Sequence, residues 1–362
     1  MDIKTIAYLI VILVCSNSLL ACEIESGIGE AMLPDSSIYK GQFKGCLFNG
    51  RGTLTWRDGA NYNGEFKDGL MHGKGILKSP NGWSYEGEFL EGMQTGRATI
   101  TYPAGDVYVG DVENGYYEGM GVFKATYGLT YSGEFKAGLY EGTGVLRDLD
   151  GYEYSGSFKL GVYSGYGVLK QGERMSYTGG FQNGLYDGIG VLKESSGHEY
   201  SGSFKQGVYS GRGVLKYADG TVHSGNFVDG ALEGVGESRE TNGNVYKGEF
   251  SNGYFEGQGT MEYANGDVVS GIYEKGLLNG EAVANFANGR KYKGSYKDGY
   301  FHGYGVFTYE TGDEYHGSFE KGKFHGQGKI TNTETGEVIE GEWRFGEYQK
   351  PKDQMCEPII SG

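Results

Sequence analysis

An aromatic residue followed two places later by glycine recurs every 23 residues: Tyr39, Tyr62, Tyr85, Tyr108, Tyr131, Tyr154, Tyr177, Tyr200, Tyr246, Tyr292 and Tyr315, with His223 and Val269 in the remaining places of the series. No insertion breaks the register through these thirteen units. A chain self-similar at a fixed short period folds as an array whose units pack mainly on their neighbours. With the aromatic as position 1, glycine returns at 3, 8, 12, 14 and 21, and phenylalanine or another large apolar residue at 5.

Each unit reads as a hairpin. Positions 1 to 6, "YSGSFK" from Tyr200, and 14 to 18, "GVLKY" from Gly213, are rich in aromatic and β-branched residues and are separated by glycine-bearing turns. Strand alternation puts positions 1, 3 and 5 on one face, with the leucines of position 16 (Leu77, Leu146, Leu169, Leu192, Leu215) beside them; residues such as Ser201, Ser203 and Lys205 face water. Sixty-nine glycines in 362 residues then have two uses. At 3 and 14 glycine leaves room for large rings to lie flat on the sheet; at 8, 12 and 21 it permits the positive φ of tight turns. Lys124, Arg147, Lys170, Lys193, Lys216 and Arg239 line up at position 17 and are expected to be neutralised across the strand by acids such as Glu134 at position 4.

The pattern Y-x-G-x-F-x-x-G-x-x-x-G-x-G resembles the MORN (membrane occupation and recognition nexus) repeat family over nearly the whole chain beyond the first 26 residues. Gly27 and Gly29 fit a preceding half-unit, and "IEGEW" from Ile339 fits a following one after a single inserted residue. The expected fold is all-β: an elongated, twisted, single antiparallel sheet of stacked MORN hairpins. The expected organisation is residues 1–22 a signal, 23–38 a short linker and half-repeat, 39–338 thirteen repeats, 339–347 a half-repeat and 348–362 a tail. The resemblance implies association with membranes and scaffolding. MORN enzymes such as lysine methyltransferases and phosphatidylinositol phosphate kinases carry a separate catalytic domain, for which these repeats leave no stretch, so no enzymatic activity is expected.

"MDIKTIAYLIVILVCSNSLLAC" has Lys4 ahead of an apolar run from Ile6 to Val14 and small and polar residues after it, the pattern of an export signal. Ser16, Asn17 and Ser18 interrupt the roughly 20 apolar residues that a spanning helix needs. "SLLAC" resembles a bacterial lipobox, which makes Cys22 the expected lipidation site; ordinary cleavage near the same point and an uncleaved signal anchor stay open. Cys46 and Cys356 are expected to be unrelated thiols, since two cysteines make no disulfide framework.

A net charge of −15 argues against nucleic acid and against direct binding to anionic lipid. His302 and His325 share position 11 of neighbouring units, where two strand spacings, about 9.6 Å, are too wide for one metal ion to bridge. "GLMHGKG" lacks the phosphate-loop spacing and no serine sits in a nucleophile elbow, so no catalytic residue, metal or cofactor is expected. The candidate binding row is position 10: Tyr117, Tyr140, Tyr163, Tyr186, Tyr209, Phe255 and Phe301, placed in the turns and suited to stacking on sugar rings or gripping a peptide. The rival role for these rings is to cover the glycine-rich strands. The expected function is an exported, lipid-anchored, non-enzymatic scaffold or protein-binding surface at the cell envelope, periplasmic or surface, or else secreted. Its partner would be a protein or an envelope polymer; a peptidoglycan-binding or membrane-lipid-binding array is the alternative.

Overall fold

Alternating apolar and polar residues punctuated by glycine do form strands throughout. The computed structural model describes residues 24–350, in which there are 29 strands and no helix. The expected signal, Cys22, Cys356 and nearly all of the tail lie outside the described residues. The chain divides into two units, 1–185 and 186–362. The first carries fourteen strands, from β1 (Ser26–Met32) to β14 (Met175–Gln182); the second carries the strands that follow, from β15 (Leu185–Glu194), whose first residue falls at the division, to β29 (Glu347–Gln349). Within each unit successive strands pair antiparallel in an open sheet. At the two ends, β1 pairs with β2 (Ile38–Lys44), and β28 (Val338–Arg344) pairs with the strand before it and with β29.

One repeat shows the rule. β10 (Thr130–Lys136) runs over positions 23 to 6, and β11 (Leu139–Arg147) covers positions 9 to 17, five residues longer at its start than the sequence pattern suggests. Lys136 and Leu139 pair across a two-residue turn in which Ala137 and Gly138 have φ of 48° and 82°. Two consecutive positive φ values define the hairpin turn whose twist matches that of the strands. Only position 8 is glycine; position 7 carries ordinary residues, Leu160 and Gln206 among them, also at positive φ. What offsets the strain is a cap: the N–H of Ala137, Leu160, Gln206, Asn252 and Lys275 each donates to a carboxylate at position 11 of the preceding repeat. The Gly138 N–H donates to the carbonyl of Tyr117, which binds one hairpin tip to the next.

The ring-packing role expected for positions 3 and 14 is realised. Tyr131 is fully buried and lies over Gly133 and Gly144: a Cβ on Gly144 would stand 2.5 Å from the Tyr131 hydroxyl oxygen and 2.6 Å from Cε2 and Cζ of its ring. The hydroxyl donates to the carbonyl of Glu134 at 2.8 Å, so the polar end of the ring is satisfied inside its own unit. Phe135 meets the ring edge-on at 5.0 Å, and Phe158 of the following repeat at 5.1 Å. Each such pair adds about 0.5–1.5 kcal/mol beyond the area it buries.

Two expectations fail. Of the position 17 bases, Arg147 pairs with Glu153 at 2.7 Å and Lys193 with Glu199 at 3.1 Å, acids just before position 1 of the next unit, and Arg239 pairs with Glu237 of its own strand, none of these three with position 4. Register decides this: Arg147 stands opposite Glu153, whereas Glu134 turns toward Gly142 and accepts from the Thr143 backbone N–H and hydroxyl. Cys46, expected as an unrelated thiol, is disulfide-bonded, and its partner lies outside the described residues. It holds φ +62° in a place where the repeat has glycine, and its N–H donates to the Glu25 carbonyl.

Candidate functional site

Position 10 is a strand position, not a turn position: Tyr140 pairs with Phe135, one step inside the hairpin. The second strand starts at position 9, not at position 14 as the residue pattern alone suggests, and this carries the row out of the turn. Strand alternation then puts the ring on the aromatic face, directly above the buried tyrosine of its own unit. Tyr117 stacks on Tyr108 with centroids 3.7 Å apart, Tyr140 on Tyr131 at 3.8 Å and Tyr163 on Tyr154 at 3.7 Å. In the second unit Tyr209 stacks on Tyr200 at 3.9 Å, Phe255 on Tyr246 at 3.8 Å and Phe301 on Tyr292 at 3.9 Å; Tyr186 meets Phe204 edge-on at 5.7 Å. All seven are partly exposed.

The aromatic face therefore has two layers over the glycines. The inner tyrosine is buried, and the outer ring shields it while keeping part of its own surface in water. Burial pushes Tyr140 and Tyr209 above the ordinary phenol range, and Tyr117 and Tyr163 further still because each also shares a hydrogen bond with a second tyrosine hydroxyl, Tyr102 and Tyr152 respectively. These hydroxyls are neutral at any physiological pH. The rings thus have a packing role, and the surface they leave open is apolar and hydrogen-bonding rather than reactive.

A second row escaped the sequence reading. Position 9 points to the opposite face beside the hairpin tip, and its side chains are exposed: Met93, Tyr116, Leu139 and Val162 in the first unit, Val208, Tyr254, Leu277 and Tyr300 in the second. Neighbouring members lean on the next tip, as where Tyr116 approaches Gly138 and Tyr300 approaches Gly322. The signal was legible as an apolar residue after the position 8 glycine, at the same spacing as the rest.

Where position 1 is not tyrosine, position 10 changes with it. Leu232 in the His223 unit and Leu278 in the Val269 unit are buried, and the Leu232 side chain reaches over Gly225 and Gly236 into the space a tyrosine ring fills elsewhere. Among the described residues no group of three or more His, Cys, Asp or Glu is arranged to hold a metal ion, and no helix is long and apolar enough to cross a membrane.

The MORN-repeat sequence profile matches eleven segments: residues 39–60, 62–84, 85–107, 108–126, 131–151, 154–171, 177–198, 200–222, 246–268, 292–314 and 315–333. The two passed over begin at His223 and Val269, the units without the tyrosine. No curated protein matches the chain. Similar solved structures include the TCP domain of SAS-4 (dCPAP) in complex with a proline-rich motif of Ana2 (dSTIL) of Drosophila melanogaster, at 15% identity, covering 56% of this chain and 85% of that one with a TM-score of 0.16. A streptogramin B lyase is 9% identical, with 75% and 92% covered and a TM-score of 0.13. Catalytically inactive virginiamycin B lyase from Staphylococcus aureus with quinupristin is 12% identical, with 81% and 94% covered and a TM-score of 0.13. Scores this low carry no argument about fold or function.

Proposed function

Because the chain belongs to the MORN-repeat family, we propose that it is a non-enzymatic, exported binding array whose repeated surface holds a protein partner at the cell envelope. The observation that carries this reading is the exposed apolar row at position 9. These side chains lie on the face opposite the aromatic core and do not enter it. Large apolar groups repeated along a surface without serving the core mark an interaction face. Export is supported by the disulfide at Cys46, since such bonds form and persist in oxidising compartments. Anchoring through a lipid on Cys22 belongs to the same proposal and requires that its sulfur not be the one joined to Cys46.

The test replaces Met93, Tyr116, Leu139 and Val162 together by serine and compares chemical cross-links formed by the variant and the unaltered protein in the native envelope fraction. Loss of specific cross-linked partners, with the sheet intact by circular dichroism, supports the reading; an unchanged set refutes it. Intact mass from the same fraction decides the anchor. An acyl mass on Cys22 establishes it, and an unmodified or disulfide-bonded Cys22 removes it.

A further inference from the structure

The unit that begins at His223 departs from the repeat at three places on the aromatic face at once. Position 1 is His223, position 10 is Leu232 and position 16 is Ser238, where most units carry Tyr at position 1 and an aromatic at position 10 and every other unit carries an apolar residue at position 16. Leu232 sinks onto the glycines, and no outer ring covers this unit. A hollow of about 410 Å³ remains open, walled by the stacked Phe255 of the following repeat and by Tyr254. Its other lining residues are polar: Asp219, Thr221, His223, Ser238, Glu240 and Asn242 among them.

Three observations narrow what would fit. First, Ser238 is 1% exposed and lines the hollow, so a hydroxyl stands at its floor where every other repeat carries an apolar side chain. Second, two carboxylates border the hollow and no lysine or arginine does. Glu240 Oε2 accepts from the side-chain amides of Asn242 and Asn244, and Asp219 Oδ1 from the Thr221 N–H, which orients each carboxylate. Third, His223 does not neutralise them. Its Nδ1 lies 3.2 Å from the Tyr217 hydroxyl, and burial lowers its pKa against the pull of Asp219 and Glu240, so the imidazole is neutral near pH 7.

We propose that this hollow receives a basic side chain of the protein partner, its guanidinium or ammonium group held between the Asp219 and Glu240 carboxylates and the face of Phe255. The inference rests on the partner-binding reading above and deepens it. Carboxylates supply charge-assisted hydrogen bonds, an aromatic face attracts a cation, and an anion finds no positive partner here. Ser238 adds an acceptor at the floor.

The probes are acetyl-Gly-Arg-Gly-amide and acetyl-Gly-Lys-Gly-amide, with acetyl-Gly-Gln-Gly-amide and the trimer of N-acetylglucosamine as neutral controls. Binding to the full chain is followed by NMR shifts at His223, Ser238 and Phe255. Saturable shifts with the basic peptides alone are expected. Asp219→Asn with Glu240→Gln should weaken them about tenfold or more, as removal of charged hydrogen-bond partners does. The triple variant His223→Tyr, Leu232→Tyr, Ser238→Leu restores the repeat, closes the hollow and leaves the net charge at neutral pH unchanged, so it should abolish the shifts. Should that variant fail to fold, the carboxylate variant decides. Equal shifts with the glutamine peptide or the saccharide, binding that survives either variant, or no saturable shift at all would overturn the proposal. If the hollow fails while the cross-links that depend on position 9 persist, this inference alone falls.

Discussion

Replacing Gly144 by alanine tests the ring-over-glycine construction directly. Gly144 lacks the positive φ that would strain an L residue, so backbone conformation adds no penalty and the methyl group itself is the perturbation. Its Cβ would lie 2.5 Å from the Tyr131 hydroxyl oxygen and 2.6 Å from Cε2 and Cζ, where ordinary contact is 3.4–4 Å. The ring must lift by about 1 Å, but Tyr140 is stacked on its far side at 3.8 Å and Phe135 and Phe158 close its edges. Overpacking of this kind costs about 1–3 kcal/mol. Lifting also strains the Tyr131 hydroxyl bonds to the carbonyls of Glu134 at 2.8 Å and Glu141 at 3.5 Å, together worth about 1–2 kcal/mol. Removing glycine from the unfolded chain returns about 0.4–1 kcal/mol. The net expectation is a loss of about 2–4 kcal/mol, local to β10 and β11. Hydrogen exchange of these two strands by mass spectrometry should accelerate about 30- to 700-fold while strands several repeats away keep their protection, since a tenfold change corresponds to 1.4 kcal/mol. The chain contains its own control. Ala98 occupies position 14 above Tyr85, and there position 10 is Gln94 rather than an aromatic ring. Tyr140→Gln should therefore relieve Gly144→Ala, the double variant losing at least about 1 kcal/mol less than the sum of the two single losses. Unchanged exchange in Gly144→Ala, or strict additivity with Tyr140→Gln, would refute the packing argument.

Other outcomes follow from the same geometry. Burial pushes the phenols of Tyr39, Tyr154, Tyr200, Tyr246 and Tyr315 up to about 12, so the stability they confer is complete below pH 10 and is lost as pH rises from 10 through 12. Absorbance at 295 nm should show a late ionisation step coincident with loss of the β signal; full ionisation near pH 10 with the sheet intact would contradict this. Leu160 is exposed at φ +51°, so Leu160→Asn should stabilise the protein by about 0.5–1 kcal/mol in chemical denaturation, asparagine tolerating the left-handed region that leucine resists. Glu141→Ala removes the cap from the Leu160 N–H, bonded at 2.9 Å, and should cost about 1 kcal/mol and expose that amide to exchange. Cys46 should resist alkylation until the unfolded protein is reduced; quantitative labelling without reductant would show the disulfide to be absent.

The 23-residue period carried the all-β class, the hairpin as repeating unit and both uses of glycine, because each follows from local chemistry at a repeated position. Tyr131 with Gly133 and Gly144, and Gly138 in its turn, were legible one unit at a time. The partners of the side chains were not. Arg147 pairs with Glu153 rather than Glu134 because the ladder, with its bulge after Gly133, sets which residues stand opposite, and spacing within a unit carries no such information. The same bulge and the earlier start of β11 moved the position 10 rings from an assumed exposed turn onto a buried tyrosine and left position 9 as an exposed apolar row.

The sequence by itself determined that this chain would be a glycine-punctuated stack of aromatic hairpins, since periodic chemistry and turn geometry are properties of neighbours along the chain. Only the tertiary structure decided which surfaces remain available for a partner. Availability depends on what the adjacent repeats cover: an outer ring hides the inner tyrosine in one unit, while in another a sunken Leu232 leaves His223, Ser238 and two carboxylates around an open hollow.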